Sequence, residues 1–208
     1  MGELIVLAER LADRSRARGP EKATTAFFFD LACPFSYLAA ERVERLLGEL
    51  QWIPAADRPA EQSELSSFRS RAERRAAELR LPLVWPERFL VPVPGALRAA
   101  ARAGQLGAGS RFALAAARLA FCGGFDLEDP EVLAEAAAAA GLTLDQCLAA
   151  AGDQALDRSL KATAQGLRAQ GVGRLPAVRV GGRVFDGERR LVEAAALASE
   201  LLPAQGQG

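Results

Sequence analysis

The chain has 208 residues, with 26 basic and 26 acidic side chains, no histidine and three cysteines, and half of its residues are hydrophobic. This composition is typical of a folded protein, and the length suffices for one large domain or for a small fold that carries an insertion. A net charge of zero provides no basic surface for phosphates, which argues against nucleic-acid binding, and no apolar run reaches the ~18 residues of a membrane-spanning helix.

The absence of histidine removes two large classes of enzyme chemistry. Histidine is the usual general base of serine and cysteine hydrolases and the commonest zinc ligand, so we exclude triad hydrolases and ordinary zinc enzymes. Cys33, Cys122 and Cys147 are too far apart for a Cys-x-x-Cys motif, so we predict neither a metal site nor a disulfide framework. Sparse cysteines suit a reducing compartment, and the apolar run 4–8 is shorter than a signal-peptide core, so we expect a cytoplasmic protein.

The N-terminal segment predicts a short amphipathic helix over residues 3–17. Its apolar side chains fall on one stripe, with charged residues elsewhere, and the stripe comprises Leu4, Leu7, Ala8 and Leu11. A second copy of the chain could pack on this stripe, so a homodimer is one expectation.

A strand, a helix and a second strand follow. Residues 24–30 are apolar without alternation, which predicts a strand buried on both faces. Pro34 then occupies the position of a first helical turn, and helical spacing of apolar residues continues to Leu47. Residues 50–54 predict a second buried strand, parallel to the first. Cys33 therefore falls at the junction between the first strand and its helix.

Residues 60–170 change in character and predict an inserted block of several helices. Alanine and leucine dominate this stretch, and Cys122 and Cys147 lie on apolar helical stripes, where we expect them to serve packing only. Helix breakers divide the block into pieces, namely Pro82, Pro86, Pro92, Pro94, Gly123, Gly124 and Gly141.

The C-terminal part returns to an α/β pattern. Residues 175–185 alternate around Gly181-Gly182, which predicts a hairpin, and residues 191–202 predict a closing helix. We therefore divide the chain into an N-terminal extension, a discontinuous α/β domain, an inserted helical domain and a flexible tail, with the boundaries 1–22, 23–58 plus 171–202, 59–170 and 203–208.

This order of elements, with a cysteine at the start of the first helix and a proline just before the third strand, resembles the DsbA-like branch of the thioredoxin superfamily. The matching stretches are residues 28–39, 81–86, 171–178 and 185–187. The resemblance implies an α/β thioredoxin fold, βαβ followed by ββα, with a large helical insertion. It also implies the activity of a thiol-disulfide oxidoreductase, a 2-hydroxychromene-2-carboxylate isomerase or a kappa-class glutathione transferase.

Within that family, position 33 carries the attacking group, which is cysteine in the oxidoreductases and usually serine in the isomerases and kappa transferases. This chain has Cys33, but Ser36 stands where a dithiol enzyme has its second cysteine. A thiol at a helix N-terminus is favoured as thiolate, and Ser36 could donate a hydrogen bond to it. A mixed disulfide at Cys33 would then need an outside thiol such as glutathione for its resolution.

The resemblance also implies the residues that bind substrate. Pro176 resembles the family's cis-proline, which faces the thiol, and Leu175 would present its backbone to a bound peptide or to glutathione. Glu188 and Arg190 resemble an acid–arginine pair that holds the γ-glutamyl end of glutathione, although the acid stands one position early. The predicted substrate- or glutathione-binding residues are Pro34, Phe35, Tyr37, Leu175, Pro176, Glu188 and Arg190.

Three functions remain open from the sequence. The leading hypothesis is a monothiol oxidoreductase in which Cys33, supported by Ser36, reacts with a small-molecule thiol or substrate, with glutathione as co-substrate and no metal. The second is a glutathione-dependent isomerase or transferase similar to the hydroxychromene-carboxylate isomerases. The third is a binding module that keeps the fold without catalysis.

Overall fold

The structure, a computed structural model, describes residues 25–56, 65–89 and 91–201. The predicted N-terminal helix with its dimer surface and the predicted tail 203–208 lie outside the described residues. Within the described ranges, no helix combines the length and the apolar character needed to cross a membrane.

A four-stranded mixed sheet forms the centre of the molecule. It contains β1 (Ala26–Phe29), β2 (Gln51–Pro54), β3 (Ala177–Val180) and β4 (Arg183–Asp186), in the order β2-β1-β3-β4. β1 pairs in parallel with β2 and antiparallel with β3, and β3 pairs antiparallel with β4. The predicted parallel β-α-β unit and the hairpin are therefore confirmed. All four residues of β1 are buried, as its unbroken apolar run predicts.

Helix α1 (Pro34–Leu47) connects β1 to β2 and places its N-terminus at the carboxyl end of β1. Pro34 is its first residue, where the missing N–H group costs no hydrogen bond. The helix ends at Gly48, whose φ of 71° lies in the region that favours glycine. The sequence signals therefore located both ends of this helix.

Six described helices follow, and they confirm the helical insertion. They are α2 (Leu65–Leu79), α3 (Pro94–Gln105), α4 (Gly109–Phe121), α5 (Pro130–Ala140), α6 (Leu144–Gly152) and α7 (Leu156–Ala169). The insertion is not helical throughout, because the described residues from 81 to 93 form neither helix nor strand. Three prolines in this stretch lack the N–H group that a regular element needs, namely Pro82, Pro86 and Pro92.

Helices cover both faces of the sheet. Phe27, Phe29, Val178 and Val180 belong to the main core with α1, the inserted helices and α8 (Leu191–Leu201), whereas the opposite face packs on α7 through a smaller cluster that includes Phe28 and Leu167. A 3₁₀ turn (Glu188–Arg190) joins β4 to α8. The arrangement is a thioredoxin-like fold with a helical insertion, as the sequence predicts.

Candidate functional site

Cys33 lies immediately before α1, at the N-cap position, and is 5% exposed. Its backbone N–H donates to Asp30 O at 3.1 Å, which fixes the turn that leads from β1 into the helix. Its thiol donates a hydrogen bond to Leu175 O, with 3.4 Å between the two atoms. The next peptide bond, Leu175-Pro176, is cis. The structure therefore brings together Cys33, Leu175 and Pro176, as the family resemblance predicts.

Ser36 lies one turn further along α1 and is 3% exposed. Its Oγ accepts a hydrogen bond from Asp30 N–H at 3.2 Å, so the hydroxyl hydrogen is not used in that bond. Ser36 and Cys33 line the same cavity of about 10 Å³, which is the volume of roughly one water probe. The bond from Asp30 leaves the hydroxyl hydrogen available. A bond from Ser36 to the Cys33 thiolate therefore stays a prediction.

Asp30 belongs to this site but is absent from the sequence-based prediction. It is 7% exposed, lines the same small cavity, and its Oδ1 accepts a hydrogen bond from Ala32 N–H at 2.8 Å. This Asx-type contact closes the turn after β1. A carboxylate at the end of the run Phe27-Phe28-Phe29, three positions before Cys33, is the sequence signal that could have identified it.

Tyr37 points into the interior, between α1 and the inserted helices. It is 1% exposed, its ring stacks on Phe121 with centroids 5.7 Å apart, and its hydroxyl donates to Pro82 O at 2.9 Å. The hydroxyl also lies 3.2 Å from Cys122 Sγ. Burial, followed by the contact with Cys122, holds the pKa of the phenol well above its usual range. This position favours a structural role for Tyr37 over the predicted role in a substrate groove.

Phe35 faces an aromatic wall that the sequence did not reveal. The ring of Phe68, on α2, meets Phe35 edge-on with centroids 5.1 Å apart. The guanidinium groups of Arg71 and Arg174 lie 5.6 and 5.8 Å from the centre of the Phe68 ring. Phe68 therefore contacts two residues that are close neighbours of Cys33 and of Leu175 in sequence, namely Phe35 and Arg174. No local signal marks Phe68, because it lies on a helix whose other side chains are mostly charged or small.

Glu188 and Arg190 are both engaged by other side chains of the protein. The side chain of Glu188 is 1% exposed, and its carboxylate accepts hydrogen bonds from Arg75 at 2.6 and 3.0 Å and a further bond from Arg42. Arg190 is bonded to the Glu193 carboxylate at 2.8 Å. The carboxylate implied for the γ-glutamyl end of glutathione is thus occupied by two arginines, and these residues do not reproduce that binding pair.

A groove of about 270 Å³ lies beside the cis-proline loop. Leu175 lines this groove together with Ala56, Leu167, Arg168 and Arg174. A substrate group in the groove would therefore lie next to the backbone that contacts Cys33. Among the described residues, no cluster of acidic and cysteine side chains could hold a metal ion.

Comparisons with known proteins agree with this fold. In fold, the chain is similar to 2-hydroxychromene-2-carboxylate isomerase, with a TM-score of 0.72, 16% sequence identity, and coverage of 86% of this chain and 95% of that chain. It is also similar to a protein described as a probable DsbA oxidoreductase from Streptomyces coelicolor, with a TM-score of 0.68, 18% identity, and coverage of 85% and 90% of the two chains. A comparison with curated protein sequences finds no match.

A family model gives the more specific result. The DSBA-like thioredoxin domain matches residues 24–197, a range that includes Cys33, Ser36, the helical insertion and Pro176. The match agrees with the strand order, with the thiol at the start of α1 and with the cis-proline beside it. The chain therefore belongs to the DSBA-like thioredoxin domain family.

Proposed function

We propose that the protein is a thiol-disulfide oxidoreductase in which Cys33 acts as a single nucleophile and an external thiol resolves its mixed disulfides. The observation that carries this proposal is the position of the Cys33 thiol, at the N-terminus of α1 and 3.4 Å from Leu175 O beside cis-Pro176. Ser36 supports the single-thiol mechanism, because the position of a second motif cysteine holds a hydroxyl.

The reaction is a pair of thiol-disulfide exchanges. The Cys33 thiolate attacks one sulfur of a substrate disulfide, forms a mixed disulfide with it and releases the other sulfur as a thiolate. An external thiolate then attacks the substrate sulfur of the mixed disulfide, forms a new disulfide with the substrate and releases the Cys33 thiolate. Over the cycle the external sulfur is oxidised to the disulfide level while the released substrate sulfur is reduced to a thiolate, so the number of disulfide bonds is unchanged and no metal or further oxidant is needed.

The residues around Cys33 divide the work in this mechanism. The positive end of the α1 dipole favours the thiolate, and the Ser36 hydroxyl supplies a hydrogen bond to it. In the resting state Leu175 O accepts a hydrogen bond from the protonated Cys33 thiol. Asp30 holds the turn and Ser36 in place through its N–H group and carboxylate.

The external thiol is a small molecule in this proposal. Glutathione is the thiol that the family resemblance implies, but Glu188 is held by Arg42 and Arg75 and leaves no carboxylate for the γ-glutamyl amine at that turn. We therefore propose a low-molecular-weight thiol, with glutathione as the first compound to test, in a reducing cytoplasmic setting.

A second candidate is the isomerisation of an aromatic compound at the same thiol. Ser36 and the similarity in fold to the isomerase support it, and so does the aromatic wall at Phe68, where Arg71 and Arg174 suit an anionic ring. Such a reaction would regenerate Cys33 without net oxidation. The third candidate, a non-catalytic binding module, would keep the fold with an unreactive Cys33.

The test is turnover of a glutathionylated peptide with free glutathione in wild type, Cys33→Ser and Cys147→Ser. We expect Cys33→Ser to fall to the rate of the uncatalysed exchange and Cys147→Ser to retain activity, since Cys147 lies in a different helix. Full activity in Cys33→Ser would overturn the proposal. Turnover of a hydroxychromene carboxylate without thiol oxidation would favour the second candidate, and no turnover with an unreactive Cys33 would favour the third.

A further inference from the structure

Helices α1 and α2 are linked at two levels along their axes, and the two levels are the same number of residues apart on both helices. Phe35 on α1 contacts Phe68 on α2, and Arg42 on α1 shares the Glu188 carboxylate with Arg75 on α2. Arg42 lies seven residues after Phe35, and Arg75 lies seven residues after Phe68. Seven residues are nearly two helical turns, about 10.5 Å along the axis, so both contacts of each helix lie on one face. The two helices therefore run side by side in the same direction.

The second of these levels is a buried cluster of charges from three elements. Glu188 comes from the 3₁₀ turn after β4, and its side chain is 1% exposed, compared with 13% for Arg42 and 18% for Arg75. The carboxylate accepts hydrogen bonds from both guanidinium groups, which offsets the cost of its burial. Glu188 thus joins α2 to α1 and to the strand hairpin that follows the cis-proline.

The first level lies next to the candidate site. Phe68 is 4% exposed and meets both the Phe35 ring and the Arg174 guanidinium, which stand close to Cys33 and Leu175 in the chain. Phe68 does not belong to the main core, unlike Ala76 at the other end of α2. Among the described helices and strands α2 packs chiefly on α1, and the loop that follows it adds the contacts of Phe89 with Phe68 and of Trp85 with Glu73.

We propose that Glu188 is a positioning residue that holds α2 against α1, so that Phe68 stays across the approach to Cys33 and limits the size of the groups that reach the thiol. The proposal rests on the proposed function only in taking Cys33 as the reacting group. It also explains why the carboxylate at this turn is turned inward: it secures the wall of the site and does not bind a ligand there.

The experiment compares the modification of Cys33 by two maleimides of different size, N-methylmaleimide and N-(1-pyrenyl)maleimide, with the label quantified on the Cys33 peptide by mass spectrometry. Phe68→Ala removes the wall directly, Glu188→Gln places an amide NH₂ donor against guanidinium donors, and Arg75→Met removes the link to α2. We expect each variant to raise the rate with the large reagent relative to the small one by about tenfold or more. In Phe68→Ala the ring that limits access is gone. In Glu188→Gln and Arg75→Met the loss of a partner of a buried ion pair favours local opening.

Arg98→Met is the matched control. The Arg98 guanidinium also makes two bonds to one carboxylate, that of Asp157 at 2.7 and 2.9 Å, but it joins α3 to α7. We expect this variant to lose thermal stability without a change in the ratio of the two rates. Hydrogen exchange of the α2 amides gives a second readout, which we expect Glu188→Gln and Arg75→Met to accelerate more than Arg98→Met does.

The proposal is overturned if Glu188→Gln and Arg75→Met lower the melting temperature but leave both the rate ratio and the exchange of α2 as in Arg98→Met. It is also overturned if Phe68→Ala does not change the ratio, because Phe68 would then not limit access. Labelling requires a thiol but no turnover, so these outcomes are independent of the activity test with Cys33→Ser.

Discussion

Cys33 and Cys147 are a natural pair for comparison, because both are buried and both thiols donate to a backbone carbonyl. Cys33 is 5% exposed and Cys147 2%, and each thiol donates a hydrogen bond to a backbone carbonyl, Leu175 O at 3.4 Å and Leu133 O at 3.5 Å. Their surroundings differ: Cys33 precedes a helix and shares a cavity with Asp30 and Ser36, whereas Cys147 lies within α6. Burial raises the pKa of the Cys147 thiol. The position on the helix therefore distinguishes the two cysteines, and burial does not.

Labelling of the native protein with iodoacetamide tests this comparison most strongly. We expect Cys33 to react faster than Cys147 by about a hundredfold or more, because Cys147 is held as a neutral thiol and becomes accessible only when the helical block opens. Peptide mass spectrometry over a time course measures both rates in one sample. Similar rates at the two positions would mean that the N-terminus of α1 does not activate Cys33, and labelling in urea serves as the control in which both should react alike.

The third cysteine, Cys122, allows a finer test of the buried side of α1. Tyr37→Phe removes the hydroxyl that donates to Pro82 O and contacts Cys122 Sγ, so we expect a loss of about 1–2 kcal/mol in the free energy of unfolding. Urea denaturation provides the measurement. Cys122→Ala is the matched control, since it removes only the sulfur contact and leaves the bond to Pro82, and we expect a smaller loss. A Tyr37→Phe variant as stable as wild type would show that the hydroxyl bonds add nothing to folding.

The contacts of these residues also show what the sequence could and could not predict. The strand before Cys33 and the helix after it were predictable, because an apolar run, Pro34 and helical spacing are local signals. The pairing of Cys33 with Leu175 joins residues 142 positions apart, and only the family resemblance pointed to it. The bond between Cys147 and Leu133 spans 14 positions within consecutive helices, where packing was the natural expectation.

Glu188 and Phe68 show a second reason why prediction from sequence was incomplete. The family resemblance placed Glu188 in a ligand site, but in the fold its carboxylate meets two arginines from α1 and α2. Neither arginine has a local signal that connects it to Glu188, since they lie 146 and 113 residues away. The charge contacts that link α2 to Glu188, and the contacts of Phe68 with Phe35 and Arg174, therefore form only when the chain has folded.

The smallest expected effect is the change in stability at alkaline pH, which tests the thiol of Cys147 alone. The pKa of Cys147 is raised in the folded protein, so the fold keeps this proton at a pH where the unfolded chain releases it. The resulting contribution to stability is complete below the unfolded pKa of about 8.5 and decreases at higher pH, by at most about 1.4 kcal/mol per pH unit. Urea unfolding at pH 7.5, 8.5 and 9.5, in a Cys33→Ser background, measures this loss.

The Cys147→Ala variant in the same background separates this effect from other alkaline titrations. Its stability should change less between pH 8.5 and 9.5, because no thiol remains at position 147 to ionise in the unfolded chain. Tyr37 contributes a decrease of the same sign, but only above about pH 10, since its unfolded phenol titrates there. An equal loss with and without Cys147 would contradict the raised pKa. The fold would then not favour the protonated form of the Cys147 thiol. The contrast between the two cysteines would rest only on the residues next to each of them.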